Sequence, residues 1–249
     1  MNRYTNKTIL VTGGSSGIGL ASAKAFAAEG AHVIITGRDA AALEHAKTEV
    51  GANALAIRND AGSLDAAKEL ASTLADKGVK LDAVFVNAGV AKFAPLTAVD
   101  ETLWDLTFNT NVKGPYFQIQ ALVPLLNTGA SIVINGSINA RIGMPSSSVY
   151  AASKAAVISL AKTLSAELLP LGVRVNVVSP GPVYTPIYGK LGLDQATLEA
   201  TAAQIQAQVP LGRFGQPEEI AATVLHLSAP ESAFIVGTEI IADGGMSQL

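Results

Sequence analysis

Short β-branched runs alternate along this chain with longer stretches of helical spacing, and that rhythm constrains the fold more than any single motif. The runs are Thr8–Thr12, His32–Thr36, Ala54–Ile57, Ala83–Val86, Ser131–Asn135, Val173–Val178 and Thr238–Ile241. Helical periodicity occupies Gly17–Glu29, Ala40–Val50, Leu64–Asp76, Trp104–Leu126, Val149–Leu168 and Pro217–Leu227. Strand–helix alternation is the pattern of a parallel sheet covered on both faces. The runs are apolar throughout rather than every second residue, as strands buried on two faces must be. The expected fold is therefore α/β: a doubly wound, seven-stranded, Rossmann-like parallel sheet with helices on both faces. Helix ends carry their own punctuation: Gly30 closes the first helix, Asp39 caps the second, and Ser63 or Asp65 caps the third.

The 249 residues read as one domain, 1–249, without a linker, repeat or low-complexity tract. One stretch breaks the rhythm. Pro180 to Phe214 holds four prolines around a short helical piece, Gln195–Gln208, and marks a substrate-loop excursion at about 182–214. Composition removes several function classes. There is no cysteine, so disulfides, thiol nucleophiles and Cys-ligated metals are excluded. His32, His45 and His226 are scattered and lack metal-ligand spacing, so no metal is expected. Formal charge is −3 with no block of like charge, which gives nucleic acid or a membrane surface no electrostatic hold. The apolar stretch Ile9–Val11 is too short for a signal-peptide core, and a cytoplasmic location is the expectation.

Two local patterns carry chemistry. Thr12–Gly19 reads T-G-G-S-S-G-I-G, where the first strand ends and the first helix begins. Dinucleotide phosphates need close backbone approach, which glycine permits, and the free N–H groups of a helix N-terminus. Gly13, Gly17 and Gly19 would serve the turn, the approach and the helix–strand packing, with Ser15, Ser16 and Ile18 beside them. In the second pattern, Tyr150 and Lys154 are four residues apart on one helix face, and Ser137 follows a buried strand. A cation at that spacing is expected to lower the tyrosine pKa and create an acid–base for near-neutral pH.

The ordered set of T-G-x-x-x-G-I-G (Thr12–Gly19), N-A-G (Asn87–Gly89), Asn111, Ser137, Y-x-x-x-K (Tyr150–Lys154) and P-G (Pro180–Gly181) resembles the short-chain dehydrogenases/reductases over essentially the whole length. The resemblance implies strand order 3-2-1-4-5-6-7 and reversible hydride transfer between a nicotinamide cofactor and a carbonyl/alcohol pair. It implies Tyr150 as the acid–base and Ser137 as the hydrogen-bond donor to the same substrate oxygen. Lys154 would tune the tyrosine and hold the nicotinamide ribose, and Asn111 would anchor a water leading from Lys154 to solvent. Asp60 would contact the adenine, Asn87 and Gly89 would border the cofactor, and Pro180, Gly181, Val183 and Thr185 would lie along its nicotinamide end. The family often has N-N-A-G; here the first asparagine is Val86.

Cofactor choice is read at the end of the second strand. The position where an NAD site usually places a carboxylate is Gly37, followed by Arg38, whose guanidinium suits a 2′-phosphate. NADP(H) is expected, with Asp39 spent on the helix cap. Met144, Pro145, Ile187, Tyr188 and Leu191 would line a pocket for an apolar, small-molecule ketone or alcohol. Two alternatives are reduction of a 3-oxoacyl thioester on an acidic carrier protein, with Lys92, Lys113 and Arg141 as docking candidates, and a non-catalytic dinucleotide sensor, against which the intact Tyr–Lys–Ser set speaks. Apolar residues around both Trp104–Leu126 and Val149–Leu168, and the apolar end Phe234–Leu249, predict a homotetramer.

Overall fold

A computed structural model describes residues 2–185 and 195–249. Seven parallel strands form one sheet: β1 (Thr8–Thr12), β2 (His32–Gly37), β3 (Ala54–Arg58), β4 (Leu81–Val86), β5 (Leu126–Asn135), β6 (Arg174–Pro180) and β7 (Glu239–Ala242). Their order is β3-β2-β1-β4-β5-β6-β7, as the resemblance implied. The helices are α1 (Gly17–Ala28), α2 (Ala40–Val50), α3 (Leu64–Asp76), α4 (Glu101–Phe108), α5 (Gly114–Leu122), α6 (Ser148–Leu168), α7 (Gln195–Ala207) and α8 (Pro217–Ser228).

Alternate residues of each strand feed two cores. Ile9 and Val11 of β1 and Val33 and Ile35 of β2 pack with Phe26 of α1, Leu43 of α2 and Val224 of α8. Leu10 and Ile34 point the other way, into a core with Leu70 of α3, Ile119 of α5 and Val157 and Leu164 of α6. Apolar side chains on both faces are why the runs show no alternation in sequence. The expected caps form: Asp39 accepts from Ala42 N at 3.0 Å and Ser63, not Asp65, accepts from Ala66 N at 3.2 Å. Gly30 follows α1 with φ +90°. No helix among the described residues is long and apolar enough to cross a membrane.

The expected helix Trp104–Leu126 is not continuous. It divides into α4, a π-helical turn (Asn109–Lys113), α5 and a 3-10 turn (Val123–Leu125) that leads into a longer β5. Pro115 lacks the N–H that an unbroken α-helix would donate to the Asn111 carbonyl. The wider turn also lets Asn111 reach a distant segment, accepting from Val90 N at 2.8 Å and donating to Val90 O at 2.9 Å. Apolar spacing averaged over the stretch hides one extra residue, so the break was not legible from periodicity.

β1 and β4 are neighbours, yet the chain leaves β1 toward β2 on one side and reaches β4 on the other. The carboxyl ends of these strands therefore open a crevice, the place where doubly wound sheets hold ligands.

Candidate active site

A cleft of about 400 Å³ occupies that crevice. At one end lies the β1–α1 turn, with Gly13, Ser15, Ser16, Gly17 and Ile18 on its wall, then Gly37, Arg38 and Asp60. At the other end lie Asn87, Gly89, Tyr150, Lys154 and Thr185.

The turn is built for backbone approach. Gly13 has φ +63°, a left-handed conformation that side chains resist. Gly19 does not line the cleft; it lets α1 sit against the turn, since a Cβ there would lie 2.3 Å from Gly13 O. Ser16 stands at the N-terminus of α1 but makes no side-chain capping bond. The first N–H groups of α1 are thus left for an anion in the cleft. Thr12 Oγ1 accepts from Asn87 N at 2.9 Å and Ala88 N at 3.0 Å, while Asn87 Nδ2 donates to Thr12 O at 3.0 Å. These bonds tie the loops after β1 and β4 together. The cradle, its glycines and its uncapped helix end fit a dinucleotide.

At the far end, α6 presents Tyr150 and Lys154 one turn apart. Lys154 Nζ donates to Asn135 O at 2.7 Å and lies 5.7 Å from the Tyr150 ring centroid. Phe93 meets Tyr150 edge-on with centroids 5.6 Å apart. Ser137, on the turn after β5, is buried. The expected lowering of the tyrosine pKa does not appear in the protein alone. Burial pushes the Tyr150 phenol above its ordinary value, and a side-chain hydrogen bond with Ser137 pulls it partly back. Burial also pulls Lys154 down to about 8. Both groups lose water before either gains a charged partner, and desolvation outweighs their mutual effect.

Asn111 is buried, with its side chain spent on Val90 and on Ser153, whose Oγ accepts at 3.1 Å. Asp60 lines the cleft and its carboxylate accepts from Gly62 N at 3.0 Å. Pro180, Gly181 and Val183 border the region but do not line the cleft: Pro180 pairs with Ala242 and Gly181 backs onto Asp243. Val183 is buried beside Gly215. Val86 is a core residue at the end of β4, and Asn135 brings an amide to the region instead, donating to Asn87 Oδ1 at 3.0 Å.

Thr36, Asn59, Ala61, Ala88, Val90, Ala91 and Asn135 also line the cleft without having been singled out as site residues. Most sit within or close to a flagged motif, so that adjacency was the available signal. Of the basic docking candidates, Lys92 is exposed at the cleft and Arg141 is committed to an ion pair with Glu239. Met144 is exposed; Ile187, Tyr188 and Leu191 lie outside the described residues.

Comparison with known proteins agrees with this architecture. A family model described as enoyl-(acyl carrier protein) reductase matches residues 13–247. Oxidoreductase asL5 of Sarocladium schorii is 37% identical, with 100% of this chain and 99% of that protein covered. The 3-oxoacyl-[acyl-carrier-protein] reductase FabG of Thermotoga maritima is 36% identical over 98% of this chain and 99% of its own. A short chain dehydrogenase from Burkholderia cenocepacia J2315, solved in complex with NADP, superimposes with TM-score 0.89 at 34% identity, covering 98% of this chain and 99% of that one. Sequence motifs, strand order and these full-length likenesses converge: the chain belongs to the short-chain dehydrogenase/reductase family, whose members are oxidoreductases using nicotinamide dinucleotides on small molecules.

Proposed function

We propose that the protein interconverts a ketone and a secondary alcohol with NADP(H). The observation that carries this reading is the meeting of Tyr150, Ser137 and Lys154 at one end of a cleft whose other end is a glycine-lined helix N-terminus. When bound, the nicotinamide supplies the hydride that adds to or leaves the carbonyl carbon. The chain's own residues handle the oxygen and the proton. With its pKa held up by burial, the Tyr150 phenol is protonated at neutral pH and set to give its proton to the carbonyl oxygen. Ser137 donates to the same oxygen as charge develops there. Lys154, charged below about pH 8, steadies the phenolate left behind until solvent reprotonates it. Gly13, Ser15, Ser16, Gly17 and Ile18 would hold the pyrophosphate, Asp60 the adenine, and Asn87, Gly89, Lys154 and Thr185 the nicotinamide half.

NADP(H) is favoured because Gly37 brings no carboxylate to the ribose end and exposed Arg38 is free to meet a 2′-phosphate. The carboxylate of Asp39 is turned to its cap, as its bond to Ala42 supports. Gly37→Asp should weaken NADPH by about ten-fold and NADH little. A wild-type enzyme with higher kcat/KM for NADH would refute the assignment.

Exposed Trp104 and Leu106 on α4, and Leu169 and Leu171 after α6, support a homotetramer, as does exposed Phe234. A stable monomer in light scattering would exclude it. The carrier-protein alternative draws on the FabG likeness and lacks a clustered basic patch. One assay separates the readings: NADPH consumption against a panel of apolar ketones, oxoesters and a 3-oxoacyl thioester. Turnover of simple ketones supports the proposal, turnover of the thioester alone supports the alternative, and no turnover with any carbonyl leaves only a dinucleotide-binding protein.

A further inference from the structure

Glu239 lies on β7, outside the cleft, with a side chain only 7% exposed. Its carboxylate is divided between two partners. Oε1 accepts from Ser179 Oγ at 2.6 Å. Oε2 accepts from Arg141 Nε at 3.1 Å and also from Arg141 Nη2.

Both partners lead to Ser137. Arg141 ends the single 3-10 turn Ile138–Ala140, whose N-cap is Ser137 itself. Ser179 packs beneath Gly136, the residue just before Ser137: a Cβ on Gly136 would sit 2.4 Å from Ser179 Oγ. Gly136 N also donates to Val178 O at 2.7 Å, holding that flank against β6. One carboxylate on the last strand therefore braces the backbone on both sides of the serine.

We infer that Glu239, through Arg141 and Ser179, is a positioning residue that fixes the Ser137 hydroxyl for the reacting oxygen; this rests on the role proposed for Ser137 above. The Glu239 carboxylate is buried while Arg141 reaches solvent; a buried carboxylate needs its partners held in place, and two such partners impose one arrangement on the chain between them. Ser137 needs such a brace. Its Oγ accepts from Asn139 N within the turn, at 3.2 Å, and bonds with the Tyr150 side chain on α6, so neither bond anchors the turn to the sheet. A small displacement of a hydrogen-bond donor is costly to turnover but leaves a cofactor held elsewhere untouched.

The test uses Arg141→Met, because Arg141 is the exposed member of the pair and its loss should not unfold the chain. Measured are kcat with NADPH and a ketone accepted in the panel, the NADPH dissociation constant by fluorescence, the Tm, and amide hydrogen exchange across residues 136–142. The expected result is a fall in kcat of about ten-fold, short of the hundred-fold or more that follows outright loss of an oxyanion donor. NADPH affinity and Tm should stay near wild type, exchange across 136–142 should rise, and Arg141→Lys should recover most of the turnover. A kcat within about two-fold of wild type would overturn the inference, as would parallel losses of kcat, NADPH affinity and Tm. Unchanged exchange would overturn it without reference to activity. A wild-type protein that reduces no carbonyl refutes the proposed reaction instead, and the exchange result still judges the brace.

Discussion

The two ends of the cleft are made of different material. At the β1–α1 end the wall is backbone: a left-handed Gly13, an uncapped helix N-terminus and a Gly19 that allows helix and turn to touch. At the β5–α6 end it is side chain: Tyr150, half-buried and facing the cleft, with Lys154 and Ser137 buried beside it. Backbone N–H groups can hold charge without titrating. In the proposed reaction the second end moves a proton, and for that reason depends on pH and on the burial of each group.

Replacing Tyr150 by Phe should break this comparison most sharply. Only the hydroxyl is lost, so kcat should fall by about a thousand-fold while NADPH affinity changes little. A variant that kept near-wild-type turnover would remove Tyr150 from the chemistry. The converse change is Gly19→Ala, whose methyl would meet Gly13 O at 2.3 Å and Asn87 Nδ2 at 2.6 Å. Distortion of about 2 kcal/mol at the turn should weaken NADPH about thirty-fold, with kcat at saturation largely kept. Equal loss of both constants would mean that the ends are not separable.

Varying pH should reach the side-chain end alone. Lys154, pulled down to about 8, carries its charge below that pH and loses it above. In the reductive direction kcat/KM should therefore be flat at lower pH and then fall about ten-fold per unit above about pH 8. NADPH affinity, shared among the backbone N–H groups of the β1–α1 turn, Arg38 and several other cleft residues, should vary far less; a matching fall would contradict the division. The smallest effect is expected from Asp39→Ala, which removes the α2 cap. Stability should drop by about 1 kcal/mol in denaturant titration, with the NADPH/NADH preference unchanged. A changed preference would show that Asp39 acts on the cofactor.

This division also explains which features are legible in the sequence. Apolar runs and caps are local signals, so β1 and the whole of α2 and α3 fall where their residues place them. The glycine turn was legible because close approach demands a particular residue type at fixed spacing. Ser137, Tyr150 and Lys154 carry little signal alone and became readable through their order with the other motifs. Contacts between distant segments left no local trace. Asn111 bonds Val90 across 21 positions, and Arg141 bonds Glu239 across 98. Nor can spacing weigh desolvation against a nearby cation, and it is burial that decides the direction of the Tyr150 shift.

The π turn at Asn109–Lys113 bears on how this chain can change over time. Each residue of an α-helix advances the phase by about 100°, but a π turn takes up one extra residue within a single wider turn, so the helix beyond it keeps its face. Deleting one residue of the turn other than Asn111 would restore an ordinary helix with Ile119 and Leu122 still in the core and Trp104 and Phe108, 4.8 Å apart, still stacked. What such a deletion removes is the width that lets Asn111 reach Val90. The odd residue thus serves one side chain and leaves the packing of both helices alone.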